Sequence, residues 1–552
     1  MNIDTRTLRG RRNTARWNRV SMGDLFERIK WSAPERVVFR AWEGAYESKA
    51  NAALTAKAAD DQANQYANKL HAIGIQPGQI VMMVCENSIE AVIAKIAMAK
   101  AGVTIAPINP NLSAEVIGDL MDLCKPAGIV IDSDFLEKIT PIAQAHGVKV
   151  LHQIQLADAG SALPNFEAFI RNSPLTEPEV EIHGDDIWEL LFTSGSTAVP
   201  KGVMVSHTNT MFSALSFNGL GMVGNEYESE FVVCSFLPIV YHVGDGLIYN
   251  AVLSGGCALI GRRFVPRATA EAISRYQVTC LWGGAPQAID AIANEFAKDP
   301  ALSAESLRSV IFGWAPMNPQ IYAHARKHLG QKTKYIEIIG QTEVVCAHRF
   351  WLEKHRDLYL RTSPLENYVG EPSGLLAAAL CAEDKTIIEN GDRRVGEAMY
   401  RSPALMAGYY MKDEDTREAF RDGWFHGGDA FRWGENNQRI LADRFKDIVK
   451  SGGENVTCIR VEAAISSHPS VLKTAVVGLP HKRWGEAVTA FVVLKPHQQA
   501  TTDALLALAK EKLAPFEVPK QIRIVEALPE TVGGKVQKHI LRKSHEHLYE
   551  EK

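Results

Sequence analysis

Two lysines stand in glycine- and hydroxyl-rich segments far apart in this chain. Lys201 closes Phe192-Thr193-Ser194-Gly195-Ser196-Thr197-Ala198-Val199-Pro200-Lys201-Gly202, and Lys535 follows Leu528-Pro529-Glu530-Thr531-Val532-Gly533-Gly534. Glycine and small hydroxyl residues let backbone N–H groups approach a polyphosphate, the hydroxyls add donors, and lysine adds a mobile cation. The first segment lacks the Gly-Lys-Ser/Thr ending of a P-loop. Between the lysines lie Gly340-Gln341-Thr342-Glu343 and Trp424-Phe425-His426-Gly427-Gly428-Asp429. A carboxylate such as Glu343 suits a hard cation that bridges phosphate oxygens, and the two acceptor oxygens of Asp429 suit a pair of hydroxyls. A fifth segment runs from Asp443 through Arg444, Lys446, Lys450, Ser451, Gly452 and Gly453 to Asn455. Each segment alone has a plainer reading, as a surface loop, a cap, a turn or a solvated charged run.

Taken together and in this order, the five segments resemble those of the adenylate-forming superfamily, which includes acyl-CoA synthetases, peptide-synthetase adenylation domains and luciferases. The Ser-Gly-Gly-Glu-Asn run is most similar to the acyl-CoA synthetase branch. The resemblance implies an ATP-dependent carboxylic acid–CoA ligase. A carboxylate would attack ATP to give acyl-AMP and pyrophosphate, and coenzyme A would then take the acyl group. Loading of a carrier protein or another nucleophile is the alternative acceptor chemistry, and a nucleotide-binding regulator without turnover is the alternative of another class.

By the same resemblance, Lys535, His242, Thr342 and Glu343 are catalytic. Thr193, Ser194, Gly195, Ser196, Thr197, Lys201, Gly340, Gln341, Asp429, Arg444 and Lys450 hold the nucleotide, with Mg²⁺ on Thr193 and Glu343. Lys446 is the hinge, and Ser451, Gly452 and Gly453 line the thiol tunnel. Leu237-Pro238-Ile239-Val240-Tyr241-His242-Val243-Gly244 and Gly313-Trp314-Ala315-Pro316 resemble the acyl-site segments, with Trp282 as further aromatic wall. The bulk of Trp314 predicts a shortened or laterally redirected pocket, and so a compact or aryl acid rather than a long straight one. Ala198, Ile339, Gly427 and Asp443 depart from the family pattern, which has glycine, an aromatic, threonine and glycine there.

These residues need a scaffold larger than one core. The chain has 552 residues, and single cores rarely grow past about 250–300. The first half alternates strand and helix patterns. Asp60 to Ala72 reads as a helix, Ile80 to Cys85 as a buried strand, Ser88 to Ala101 as a helix and Val103 to Pro107 as a strand. Such alternation predicts an α/β fold with parallel sheets covered by helices. Past Arg439 a smaller mixed pattern follows. We expect a large N-terminal domain over residues 1–442 and a small mobile α+β domain over 443–552.

Composition excludes several classes. With 46% hydrophobic and 22% charged residues the chain is of ordinary globular type, and its net charge of −4 offers no field for nucleic acid. The eight cysteines are scattered without metal or redox spacing, which fits reduced core thiols and a cytoplasmic location. No apolar run approaches the roughly 20 residues that span a bilayer. The Arg-rich start has no apolar segment of a secretory signal and reads as a solvated basic tail, with a transit peptide as the alternative. The resemblance implies a carboxylic acid as the small-molecule partner, and a homodimer is left open.

Overall fold

The computed structural model describes residues 20–42, 44–156, 161–193, 200–221, 230–530 and 536–550. Ser194, Gly195, Ser196, Thr197 and Lys535 lie outside the described residues.

Helix α1 (Ala56–Ala72) starts four residues earlier than its apolar stripe predicts, because the Thr55 hydroxyl accepts the Ala58 N–H and caps it. Strand β1 (Ile80–Val84) leads into α2 (Ile89–Lys100), capped in the same way by Ser88 on Ala91. Every residue of α2 is buried, charged ones included, as befits a helix with no polar face. Strands β2 (Thr104–Pro107), β3 (Ile187–Phe192) and β4 (Gly202–Ser206) follow. β1, β2 and β3 run parallel within a seven-stranded sheet, and β4 pairs antiparallel with β3.

A second sheet has 13 strands. Its parallel part holds β5 (Val232–Ser235), then, after helix α3 (His242–Leu253), β6 (Cys280–Gly284). Helix α4 (Pro286–Lys298) precedes β7 (Ser309–Phe312) and β8 (Lys334–Gln341). β8 turns back at once into antiparallel β9 (Val344–Trp351). Further on, β10 (Phe425–Trp433) and β11 (Arg439–Arg444) pair antiparallel in the same sheet. The residue 442/443 division proposed above therefore falls within β11. The large core joins side chains of both sheets around α2, including Val92, Ile96, Val81, Trp188 and Trp282.

The C-terminal part has its own five-stranded sheet. Strands β12 (Val449–Ser451) and β13 (Glu454–Val456) form a hairpin, helix α5 (Cys458–Ser466) follows, and β14 (Val471–His481) pairs with β15 (Gly485–Leu494). Helix α6 (Thr502–Lys512) and parallel β16 (Gln521–Ile524) complete it around a separate core that includes Val461, Val476, Ala490 and Leu505. Ligand sites of open parallel sheets lie beyond the carboxyl ends of the strands. Thr193 and Gly313 lie just past such ends, Tyr241 lies in the connection after β5, and Thr342 lies in the hairpin beside them.

Candidate active site

The hairpin connecting β8 and β9 is where the predicted motifs meet. Its residues Gln341, Thr342 and Glu343 each touch a different one of them. Glu343 Oε1 accepts the Tyr409 hydroxyl at 2.8 Å. The Tyr409 ring lies under the Lys201 ammonium, 5.0 Å from Nζ to the centroid. Lys201 also pairs with Asp415 at 3.0 Å, both half-exposed. The ends of the Ser194–Pro200 loop are held together by β3 pairing with β4, and the Thr193 N–H donates to the Lys201 carbonyl at 3.0 Å. Lys201, Thr193 and Glu343 thus belong to one connected group. Burial and the neighbouring Glu343 raise the Tyr409 phenol, so it stays a neutral donor.

Gln341 reaches the other way. Its amide donates to the Gly427 carbonyl at 3.0 Å and to Asp429 Oδ2 at 3.2 Å. Asp429 and Arg444 are cross-strand partners on β10 and β11, and their side chains pair at 2.9 Å. Arg444 also donates to the Gly427 carbonyl at 3.3 Å. A Cβ on Gly427, the residue where the family has threonine, would lie 2.7 Å from the Gln341 amide nitrogen. Ile339, where the family has an aromatic, packs half-buried against a core containing Val344 and Tyr400.

His242 opens α3 and is buried. Its Nδ1 lies 3.4 Å from the Thr342 carbonyl, and a carbonyl only accepts, so the proton is on Nδ1. Nε2 is then an acceptor, buried and without a partner among the described residues. Burial lowers the imidazole pKa, so the ring is neutral at neutral pH.

Behind His242 sits a cluster that sequence reasoning missed. Lys95 of α2, Glu189 of β3 and Asp245 of α3 are all buried. The Lys95 ammonium contacts Glu189 Oε1 at 2.6 Å, donates to the Ile239 carbonyl at 2.9 Å, and bonds Asp245 Oδ2. Burial alone would lower the Lys95 pKa, but Asp245 and Glu189 outweigh it and the net shift is upward. Burial drives the Asp245 carboxyl far above its ordinary range, Lys95 opposing and Glu189 adding to the rise. The cluster ties the strand that feeds the Ser194–Pro200 loop to the turn and helix carrying Tyr241 and His242. Its signal in the sequence is a charge inside each of two apolar runs. Tyr409 and Asp415 were also missed as site neighbours.

The remaining predicted residues group less tightly. Tyr241 accepts the Asn109 amide at 2.8 Å, and the Trp282 indole N–H donates to the Val243 carbonyl at 2.8 Å, so the two aromatics flank the His242 turn. Gly244 is packed against that turn, with the Pro238 carbonyl oxygen filling the space a Cβ would need. Gly313 and Trp314 follow β7, and Ala315 and Pro316 are half-buried beyond them. Trp314 does not point into the core: it is 64% exposed. Lys446 lies in the short turn Phe445–Asp447 between β11 and β12. Lys450, placed at the nucleotide by resemblance, pairs with exposed Glu383 at 2.9 Å. Ser451, Gly452 and Gly453 form the β12–β13 hairpin, where the Gly452 N–H donates to the Trp484 carbonyl at 2.8 Å. Asp443, the residue replacing a family glycine, accepts the Cys458 N–H at 2.6 Å and so caps α5 across the junction. The flanks of the Lys535 loop, Glu530 and Val536, are joined by a β-bridge in the C-terminal part.

Among the described residues no group of three His, Cys, Asp or Glu side chains is arranged to hold a metal. Glu343 has one carboxylate oxygen engaged by Tyr409.

The chain matches the model of the AMP-binding enzyme family over residues 29–410 and that of the AMP-binding enzyme C-terminal domain over 460–535. It belongs to the AMP-binding enzyme family. Among curated relatives, the feruloyl-CoA synthase of an Amycolatopsis species is 27% identical over 493 residues, covering 89% of this chain and 94% of that protein. The medium-chain fatty-acid–CoA ligase of Escherichia coli is 26% identical over 547 residues, covering 96% and 91%. The solved amide bond synthetase McbA of Marinactinospora thermotolerans superimposes with a TM-score of 0.79 at 25% identity, covering 95% of this chain and 99% of that one.

Proposed function

We propose that this enzyme joins a carboxylic acid to coenzyme A at the expense of ATP, through an acyl-adenylate. The observation that carries the reading is the β8–β9 hairpin. Three consecutive residues there contact the Asp429–Arg444 pair, the His242 turn and the Tyr409–Lys201 group. In this reading Asp429 accepts hydrogen bonds from the ribose hydroxyls, with Arg444 holding its carboxylate in place. Lys201 exchanges its exposed Asp415 partner for the polyphosphate. An exposed pair of this kind is worth only about 0–1 kcal/mol, so the exchange costs little. Mg²⁺ held by Glu343 and Thr193 would neutralise phosphate charge. The substrate carboxylate attacks the α-phosphorus in line, pyrophosphate leaves, and Lys535 neutralises the charge that builds up.

Rotation of the C-terminal domain about Lys446 then removes Lys535 and brings the Ser451–Gly453 hairpin to the acyl-adenylate. Junctions of this kind commonly absorb large backbone changes. The thiol attacks the acyl carbon and AMP leaves. The unprotonated Nε2 of His242 is the acceptor for the thiol proton. Magnesium-dependent pyrophosphate release over a panel of acids, followed by thioester detection with CoA, tests the reading. Release without any acid dependence would defeat it. The likeness to an amide bond synthetase supports one other acceptor, an amine, and an amine-for-CoA comparison on the same acyl-adenylate decides between them.

A further inference from the structure

Residues 406–410 tie the β8–β9 hairpin to β4. On one side, the Met406 N–H donates to the Glu343 carbonyl at 3.0 Å. On the other, the Ala407 N–H donates to the Met204 carbonyl and the Tyr410 N–H to the Gly202 carbonyl, each at 2.8 Å. Tyr409 stands between these bonds, opposite Val203, which is two residues past Lys201. The backbone therefore brings one side chain to both Glu343 and Lys201, residues far apart in the sequence.

The placement of Tyr409 is itself fixed. Its N–H donates to Thr416 Oγ1 at 2.9 Å, and that hydroxyl donates to the Lys412 carbonyl at 2.9 Å. Thr416 belongs to the short helix Asp413–Ala419 and directly follows Asp415. Gly408 has a φ of +146°, and a Cβ there would lie 2.9 Å from Thr416 Cγ2, so glycine lets the strand meet the helix this closely. The Tyr409 ring packs half-buried against a core that includes Leu191, Val203 and Phe425. Tyr409 and Asp415 are thus held in one rigid corner.

The two ends of the side chain face opposite charges. The hydroxyl donates to Glu343 Oε1 at 2.8 Å, and the ring lies 5.0 Å from the Lys201 ammonium, which Asp415 also holds at 3.0 Å. Burial, Glu343 and Asp415 keep the phenol protonated, with Arg444 opposing. A neutral phenol donates to a carboxylate, and the negative face of its ring attracts an ammonium within about 6 Å. Unlike Asp415, the ring brings no anion to compete with phosphate.

We propose that Tyr409 is a positioning residue for adenylation with two separable functions: its hydroxyl fixes Glu343, and its ring seats Lys201 while the ammonium passes from Asp415 to the polyphosphate. Asp415 then sets how tightly nucleotide binds, because it competes with phosphate for Lys201. The inference rests on the ligase reading, which supplies the nucleotide and the roles of Glu343 and Lys201.

Two substitutions at Tyr409 separate the functions. The Kd for ATP is read by calorimetry without acid, and kcat by acid-dependent pyrophosphate release. Tyr409→Phe keeps the ring and loses the hydroxyl, so kcat should fall about tenfold or more while the Kd stays within about twofold of wild type. Tyr409→Leu loses both, so the Kd should also rise, by about 2–5-fold. Tyr409→Met takes its place should the leucine variant not fold. Asp415→Asn should lower the Kd by about 2–5-fold, since Lys201 no longer leaves a carboxylate. A hydroxyl that acts through Glu343 adds little once Glu343 is changed, so Tyr409→Phe combined with Glu343→Gln should have a kcat within about twofold of Glu343→Gln alone. Additive losses in that double variant, or wild-type kcat in Tyr409→Phe, would overturn the role of the hydroxyl. Wild-type Kd values in both Tyr409→Leu and Asp415→Asn would overturn the seat for Lys201. A wild type that binds ATP but releases no pyrophosphate with any acid would instead overturn the ligase reading, and the calorimetric comparison would still decide the seat.

Discussion

Replacing Lys95 with methionine removes the ammonium that Glu189 and Asp245 share in the middle of the large domain. The side chains of Lys95, Glu189 and Asp245 are each no more than 1% exposed, so this is a buried ion cluster and not a surface pair. Surface pairs contribute about 0–1 kcal/mol, whereas breaking a buried pair by deleting one partner costs about 3–5 kcal/mol. The Ile239 carbonyl loses its donor too. A loss of about 4 kcal/mol, at a urea slope of about 3 kcal/mol/M, lowers the unfolding midpoint of the large domain by about 1.3 M. The loss depends on pH. Burial raises the Asp245 carboxyl, and a raised carboxyl gives stability that is full at low pH and lost as pH climbs through its folded value. Without Lys95 that rise is larger, so the gap to wild type should narrow below the ordinary carboxylate range and widen above it. Replacing Glu189 and Asp245 by leucine in the same variant should restore much of the stability, since apolar groups of similar volume need no partner. Urea unfolding followed by tryptophan fluorescence at several pH values reads all three. A Lys95→Met midpoint within error of wild type, or a triple variant no better than the single one, would refute the reasoning.

Three further outcomes are expected. Lys535→Ala abolishes adenylation of free acid yet largely spares thioester formation from supplied acyl-AMP; equal loss of both, in separate half-reaction assays, contradicts a two-pose mechanism. Asp429→Ala raises the KM for ATP by about 10–150-fold, the value of a charge-assisted hydrogen bond worth about 1.5–3 kcal/mol, and leaves the acid KM little changed. His242→Ala slows thioesterification more than adenylation. In the wild type, thioesterification falls as pH drops through a value below the usual histidine range, because burial keeps His242 neutral above it, and the alanine variant loses that limb.

What the sequence made legible was whatever is local. The Phe192–Gly202 segment, the Thr342–Glu343 pair and the Trp424–Asp429 run each carry their chemistry within a few residues, and the strand–helix rhythm of Ile80 to Pro107 showed the parallel sheet. Helix ends were missed where a cap set them, as Thr55 does for α1. The long-range pairings were not visible. Lys95, Glu189 and Asp245 sit on three separate elements, and only their presence inside apolar runs hinted at a shared partner. Tyr409 joins Lys201 to Glu343 through a strand pairing, Tyr409 beside Val203, that no local pattern encodes. The size of Trp314 marks it as an obstacle in the sequence, but its left-handed backbone and its seat over Gly284 are properties of the fold.

The central claim is that a carboxylate oxygen bonds to the α-phosphorus before the thiol arrives. A substrate acid labelled with heavy oxygen in its carboxylate, incubated with ATP, Mg²⁺ and CoA, tests it directly. The account predicts that mass spectrometry finds one labelled oxygen in the AMP and unlabelled pyrophosphate. Label in inorganic phosphate with ADP as the nucleotide product, or AMP without label, would contradict it.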